Sequence, residues 1–379
     1  MSDLIYFDNN ATTKVDDKVV EAILPFFSQK YGNASSKLHA YGWEAEAAVD
    51  KAREQVADLI GAEPNEIVFT SGATEAINMA LCGIYRTYKS KGKHIITVKS
   101  EHKAVLDTCR FLEEYEGAEI TYLNVDKEGL VSPEELRRSI RKDTILICIM
   151  AANNETGVIQ PIEEIGQLAR EHKILFFSDT TQYAGKMMLD VNETPIDILC
   201  VSAHKMHGPK GVGAIYLKRK NPRVNCLPFM YGGGQESGRR AGTLNVPGIV
   251  GLGLCSQMAK SEIWETNTHV SKLRAYLEHQ LLEIPGLRIN GSTRTRLYNT
   301  SNITFPESVN IKELLKSYAF SSGSACTSGS GELSHVLKAM GLNDEEIKNS
   351  YRFSFSKYNT IDEVKKVINN LFTINKFLF

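Results

Sequence analysis

Lys205 follows the apolar run Ile198-Leu199-Cys200-Val201, in the segment Ser202-Ala203-His204-Lys205. An amine placed there can form a Schiff base with a carbonyl compound. A second run, Ile174-Leu175-Phe176-Phe177, ends in Ser178-Asp179. A carboxylate at the end of a buried strand costs desolvation unless a cation or hydrogen-bond donor meets it. A third, ending at Phe69, leads into Thr70-Ser71-Gly72-Ala73-Thr74-Glu75. This small, hydroxyl-rich turn opens a helix, and its N–H groups and dipole suit a phosphate. Each feature alone has a plainer explanation: a helix cap for Ser71 or Thr74, another for Asp179, and a surface lysine laid along apolar neighbours for Lys205. Together they supply an anion cradle, a carboxylate for a pyridinium nitrogen and an amine, which is the set that pyridoxal phosphate requires.

A thiol stands in Ser321-Ser322-Gly323-Ser324-Ala325-Cys326-Thr327-Ser328-Gly329-Ser330. Its neighbours cannot build a core, so Cys326 is expected on an accessible loop where a thiol can act as a nucleophile. A linker with an incidental cysteine is the competing reading. The other six cysteines read as small buried hydrophobes. Neither a G-x-G-x-x-G after the first strand nor a G-x-x-x-x-G-K-[ST] occurs, which disfavours nucleotide binding.

Elements that could hold such groups in place are legible between about residues 44 and 220. Helical periodicity is expected over Glu44–Ile60, Ala73–Tyr88, Lys103–Tyr115 and Ile162–His172. Short apolar runs alternate with them: Glu66–Phe69, His94–Val98, Thr144–Met150, Ile174–Phe177 and Ile198–Val201. That alternation predicts an α/β fold, a mostly parallel sheet with helices on both faces and ligands beyond the carboxyl ends of its strands. A large unit is expected over residues 15–255. A smaller α+β unit, residues 1–14 plus 256–379, would contain a long helix at Ser256–Glu283, a final helix from Asp362 and the Cys326 loop.

Among 379 residues, 42% are hydrophobic and 23% charged, with a formal net charge of −1. Such a balance gives no reason to expect nucleic-acid or membrane binding. Seven widely spaced cysteines without a C-x-x-C pair predict reduced thiols, no metal site and a cytoplasmic setting. Met1–Tyr6 shows no basic stretch followed by an apolar run, so no secretory or transit signal is expected.

In order along the chain stand Phe7-Asp8-Asn9-Asn10-Ala11-Thr12-Thr13, Thr70–Glu75, Ser100-Glu101-His102-Lys103-Ala104-Val105, Asn153-Asn154-Glu155-Thr156-Gly157, Ser202–Lys205, Arg240-Ala241-Gly242-Thr243 and Ser321–Ser328. With these motifs the chain resembles the cysteine desulfurases of the NifS/IscS-like group, within the aspartate-aminotransferase-like fold of pyridoxal-phosphate enzymes. The resemblance implies that Lys205 carries the cofactor and moves the substrate's α-proton, and that Asp179 pairs with the pyridinium nitrogen. It implies that His102 stacks on the ring and serves in proton transfer, with Asn154 and Gln182 near the phenolic oxygen and the substrate carboxylate. Thr74, Ser202 and His204 would hold the phosphate, and Thr243 would reach it from the partner subunit of a homodimer. Arg352 would clamp the carboxylate of L-cysteine, a task for which a guanidinium is well shaped.

The implied reaction releases L-alanine and leaves a persulfide on Cys326 for an acceptor protein, in iron–sulfur assembly or thio-modification of nucleic acid. Two positions depart from the pattern: Thr180 stands where alanine commonly follows the aspartate, and Ser237 where arginine is common. The rival readings are a selenocysteine lyase or aminotransferase of the same fold, and a relay subunit without catalysis. An aminotransferase has no use for Cys326, and a relay subunit has no need to retain Lys205, Asp179 and His102.

Overall fold

The structure, a computed structural model, describes residues 4–322 and 333–375. The small strand β1 (Ile5–Tyr6) precedes a seven-stranded sheet built from β2 (Ile67–Thr70), β3 (His94–Val98), β4 (Glu119–Leu123), β5 (Thr144–Cys148), β6 (Leu175–Asp179), β7 (Ile198–Ser202) and β8 (Gly213–Leu217). Their spatial order is β2-β8-β7-β6-β5-β3-β4. The strands from β4 to β7 run parallel, and β8 lies antiparallel between β7 and β2. The expected mostly parallel sheet is therefore present, with one reversed strand that the sequence reading did not include.

Alternation along the strands divides the apolar residues between two cores. Phe69, Ile96, Ile147, Phe176 and Leu199 feed one face, packed under the helices Ala40–Ile60 and Ile162–Glu171. Val68, Ile95, Leu146, Phe177 and Ile198 feed the other, under Ala73–Tyr88 and Lys103–Phe111. A strand with apolar residues on both faces fits a sheet covered on both sides.

A long helix spans Val246–Leu281, ten residues earlier in its start than the expected Ser256. It runs unbroken through Cys255, where the sequence reading ends the large unit. A third apolar cluster begins on its later half at Val270 and Leu273 and includes Ile5, Phe7, Ile303, Phe353 and Leu371. Around it lie β9 (Arg288–Asn290), β10 (Thr300–Thr304), β11 (Tyr318–Ala319) and β12 (Ser350–Ser354), followed by the helix Ile361–Ile374. β9, β10 and β12 form an antiparallel sheet, and β1 pairs in parallel with β11. The first residues of the chain thus pack with the last.

Candidate active site

At the carboxyl ends of β2, β6 and β7 the chain encloses a cavity of about 390 Å³. Thr74, His102, Asn154, Asp179, Gln182, Ser202, His204, Lys205 and Arg352 all line it, from segments nearly three hundred residues apart. Thr243 does not; it is exposed on the segment leading into the long helix. Cys326 lies outside the described residues. The described residues flanking it are fastened beside the cavity: Ser321 and Arg352 exchange backbone hydrogen bonds, and the Ser334 hydroxyl donates to Glu155.

Lys205 follows β7 in a short 3-10 turn, Ala203–Lys205. Its Nζ donates to the carbonyl oxygens of Asn10 and Ala11 at 2.5 and 2.8 Å. The Asn10 carbonyl also accepts Gln182 Nε2 at 2.9 Å. Asp179, buried at the end of β6, accepts the Thr181 N–H at 2.9 Å and the Cys200 thiol at 3.3 Å on Oδ1. Thr180 turns its hydroxyl away to the Cys200 carbonyl at 2.7 Å, so the departure from alanine is absorbed inside the sheet. His102 caps the helix Lys103–Phe111, its Nδ1 accepting the Ala104 N–H at 3.1 Å. Burial lowers its pKa, and an accepting Nδ1 leaves the proton of the neutral ring on Nε2.

The cavity is cationic. Lys205, Lys210 and Arg352 line it, while the Glu75 carboxylate at its edge is held by Arg240 at 2.8 and 3.2 Å. Arg352 is buried, donating to Asp8 Oδ1 at 2.6 Å and to the Asn154 carbonyl at 2.8 Å. Its Nε–H has no hydrogen-bond partner among the described residues. Behind the wall Glu101 is fully buried, with Oε1 accepting the Met150 N–H at 2.5 Å and Oε2 unbonded. Burial and the nearby Asp179 raise its pKa well above the carboxylate range.

Sequence reasoning missed Asp8, Lys210 and the carbonyls of Asn10 and Ala11. The motif Phe7–Thr13 was visible, but its role depends on contacts with residues around 200 and 354 that no local pattern encodes.

His204 and His207 are both pushed down to about 4, chiefly by burial, with Lys205 and Lys210 adding to the shift at His204 and Lys357 at His207. Each imidazole binds protons more weakly folded than unfolded. As pH falls below about 6.5 the unfolded chain protonates first, so stability declines from there until the folded rings protonate near pH 4. Thermal midpoints of the cofactor-free protein are expected to fall steadily across that window and to recover above it. A flat profile from pH 6.5 to 4 would contradict these environments.

The donor set fits pyridoxal phosphate. The N–H groups of Ala73 and Thr74 open a 16-residue helix and have no acceptor among the described residues. The preceding Gly72 sits at φ +152°, where glycine is favoured. Ser202 and His204 stand beside that anion cradle, with the buried Asp179 and the amine of Lys205 lining the same cavity.

Comparison with known proteins agrees. The family model described as aminotransferase class-V matches residues 5–367. The cysteine desulfurase IscS of Anaeromyxobacter sp. (strain Fw109-5) is 49% identical over 367 residues, covering 96% of this chain and 90% of that protein. Among solved structures, a NifS-like protein superposes with a TM-score of 0.90 at 40% identity, covering 99% of this chain and all of that one. SspA in complex with cysteine gives 0.83 at 38% identity, covering 94% of this chain and all of SspA. Shared sequence over nearly the whole length and the convergence of the site residues lead to one conclusion: the chain belongs to the class-V aminotransferase family, among its NifS/IscS-like cysteine desulfurases.

Proposed function

We propose that this protein removes sulfur from L-cysteine with pyridoxal phosphate, yielding L-alanine and a persulfide on Cys326. The observation that carries the reading is the meeting of Lys205, Asp179, the open helix start at Ala73–Thr74 and Arg352 in one cationic cavity. When bound there, the cofactor draws electrons from the bonds at the substrate's α-carbon. Thr74, Ser202, His204 and the N–H groups at the helix start would hold its phosphate, and Asp179 would keep the ring nitrogen protonated. His102 would face the ring. Arg352, already oriented by Asp8 and Asn154, would bind the substrate carboxylate, and Lys205 Nζ would hold and move the α-proton. The Cys326 thiolate would attack the substrate sulfur. The C–S bond would break with its electron pair passing to the β-carbon, which would take up a proton, and return of the α-proton from Lys205 Nζ would complete alanine.

Delivery of the persulfide to an acceptor protein, in iron–sulfur assembly or nucleic-acid thio-modification, follows from such an intermediate. A homodimer is supported by apolar side chains left exposed around residues 27–43 and 227–231, among them Leu38 at 93% and Tyr231 at 77%. Thr243, exposed shortly after the second of these stretches, would reach the partner's cofactor. Among the described residues no helix is long and apolar enough to cross a membrane.

Purified, cofactor-loaded protein given L-cysteine and a thiol reductant is expected to release alanine and sulfide in equal amounts. A protein that binds the cofactor but makes no alanine would overturn the assignment.

A further inference from the structure

Behind Lys205 lies a second, smaller cavity of about 50 Å³, and a second lysine, Lys186, also reaches its wall. Lys186 is buried, and among the described residues no carboxylate comes within ion-pair distance of it. An amine removed from water without a counter-ion is costly. Its Nζ instead donates to Gln182, to Oε1 at 2.9 Å and to the backbone carbonyl at 3.2 Å.

The chemistry of that contact fixes the glutamine. A lysine ammonium has donors only, so the amide facing it must present oxygen. Gln182 Nε2 then faces the other way, where it donates to the Asn10 carbonyl, the same oxygen that accepts Lys205 Nζ. A chain of contacts thus joins Lys186, Gln182, Asn10 and Lys205. Without Lys186, only the Asn10 carbonyl, which Lys205 already shares, would hold that orientation.

We propose that Lys186 is a positioning residue, which locks Gln182 as a hydrogen-bond donor toward the cofactor's phenolic oxygen. The inference rests on the pyridoxal-phosphate reading of the site. Burial, with Lys205 and Arg352 nearby, pushes the Lys186 amine down to about 7. Both of its contacts are to oxygen, so the amine still donates when neutral. The other charged or titratable groups around it are His204 and His207, which its charge helps depress, and Asp16 and Glu262 across the small cavity. Lys357 holds both of those carboxylates, at 2.8 and 2.7 Å.

The test follows the absorbance of the enzyme-bound cofactor through a pH titration, without substrate. A donor to the phenolic oxygen favours proton loss from the Lys205–cofactor linkage. Lys186→Met is therefore expected to raise the titration midpoint by about one pH unit, a tenfold change. Gln182→Leu should raise it similarly, and the double variant no further than the larger single one, as for residues acting through one another. Lys186→Gln keeps a donor but loses the charge, and should give a smaller rise; it also guards against Lys186→Met failing to fold. An unshifted titration in whichever Lys186 variant folds, or additive shifts in the double variant, overturns the proposal. Absence of a cofactor band in the unaltered protein would instead overturn the reading beneath it.

Discussion

Lys205→Ala is expected to abolish alanine release, by about a thousandfold or more, since in the proposed reaction one side chain supplies both the covalent attachment and the proton carrier. The rest of the cavity stays in place. The helix start at Ala73–Thr74, Ser202, His204 and Asp179 do not depend on the lysine, so the variant should still take up cofactor, now removable by dialysis. Folding should suffer less than activity. Two carbonyls lose a donor, but Asn10 keeps Gln182 Nε2, leaving Ala11 as the main loss. One buried acceptor left unmet costs roughly 1–3 kcal/mol. Alanine formation, cofactor content after dialysis and a thermal melt separate these effects; activity within tenfold of the unaltered enzyme would remove Lys205 from its assigned role.

Cys326→Ala should produce the opposite pairing. Cofactor binding and its resistance to dialysis should be unchanged, because none of the residues proposed to hold the cofactor is altered, yet sulfur transfer from cysteine should stop. Mass spectrometry after incubation with cysteine should find the persulfide's extra sulfur on the unaltered protein and none on the variant. Ordinary sulfide release by Cys326→Ala would mean that the substrate's sulfur leaves without a protein nucleophile, as the selenocysteine-lyase reading allows.

Local pattern made much of this visible. Ala73–Tyr88 and His94–Val98 were bounded correctly because their ends are marked by Gly72, by polar residues and by a change of period. The strand end carrying Asp179 announced itself through the cost of burying charge, and Lys205 only in combination with it and the turn Thr70–Glu75. Where tertiary packing decided, the sequence misled. The long helix starts ten residues early, through Val246-Pro247-Gly248, because its glycines meet other elements closely. A Cβ on Gly253 would stand 2.6 Å from the Ala52 backbone, so a residue that reads as a helix breaker is the one that lets two helices touch. Lys103–Tyr115 is α-helical only to Phe111, its last turn widening to a π-helix over Leu112–Glu116. β8 was missed since Gly213-Ala214-Ile215-Tyr216-Leu217 begins weakly and follows a glycine-rich turn. Lys186 gave no signal at all, because a lysine between turns reads as solvent-facing until burial is known.

The knot of bonds between Phe7–Ala11 and the far end of the chain has a consequence for how the protein is made. Asp8 reaches Arg352, Asn9 and Asn10 reach Ser354, and Asn359 reaches back to Tyr6, all across more than three hundred residues. Contacts so distant in sequence carry the heaviest loop-closure cost. A ribosome has released Phe7–Ala11 long before it supplies Arg352. Until then the segment that holds the Lys205 amine has its contacts with Asn154, Gln182 and His204 but lacks those with Arg352 and Ser354, and the guanidinium proposed to meet the substrate is missing. Chains that have not yet reached Arg352 and Ser354 are therefore expected to lack desulfurase activity, so competence comes late in synthesis.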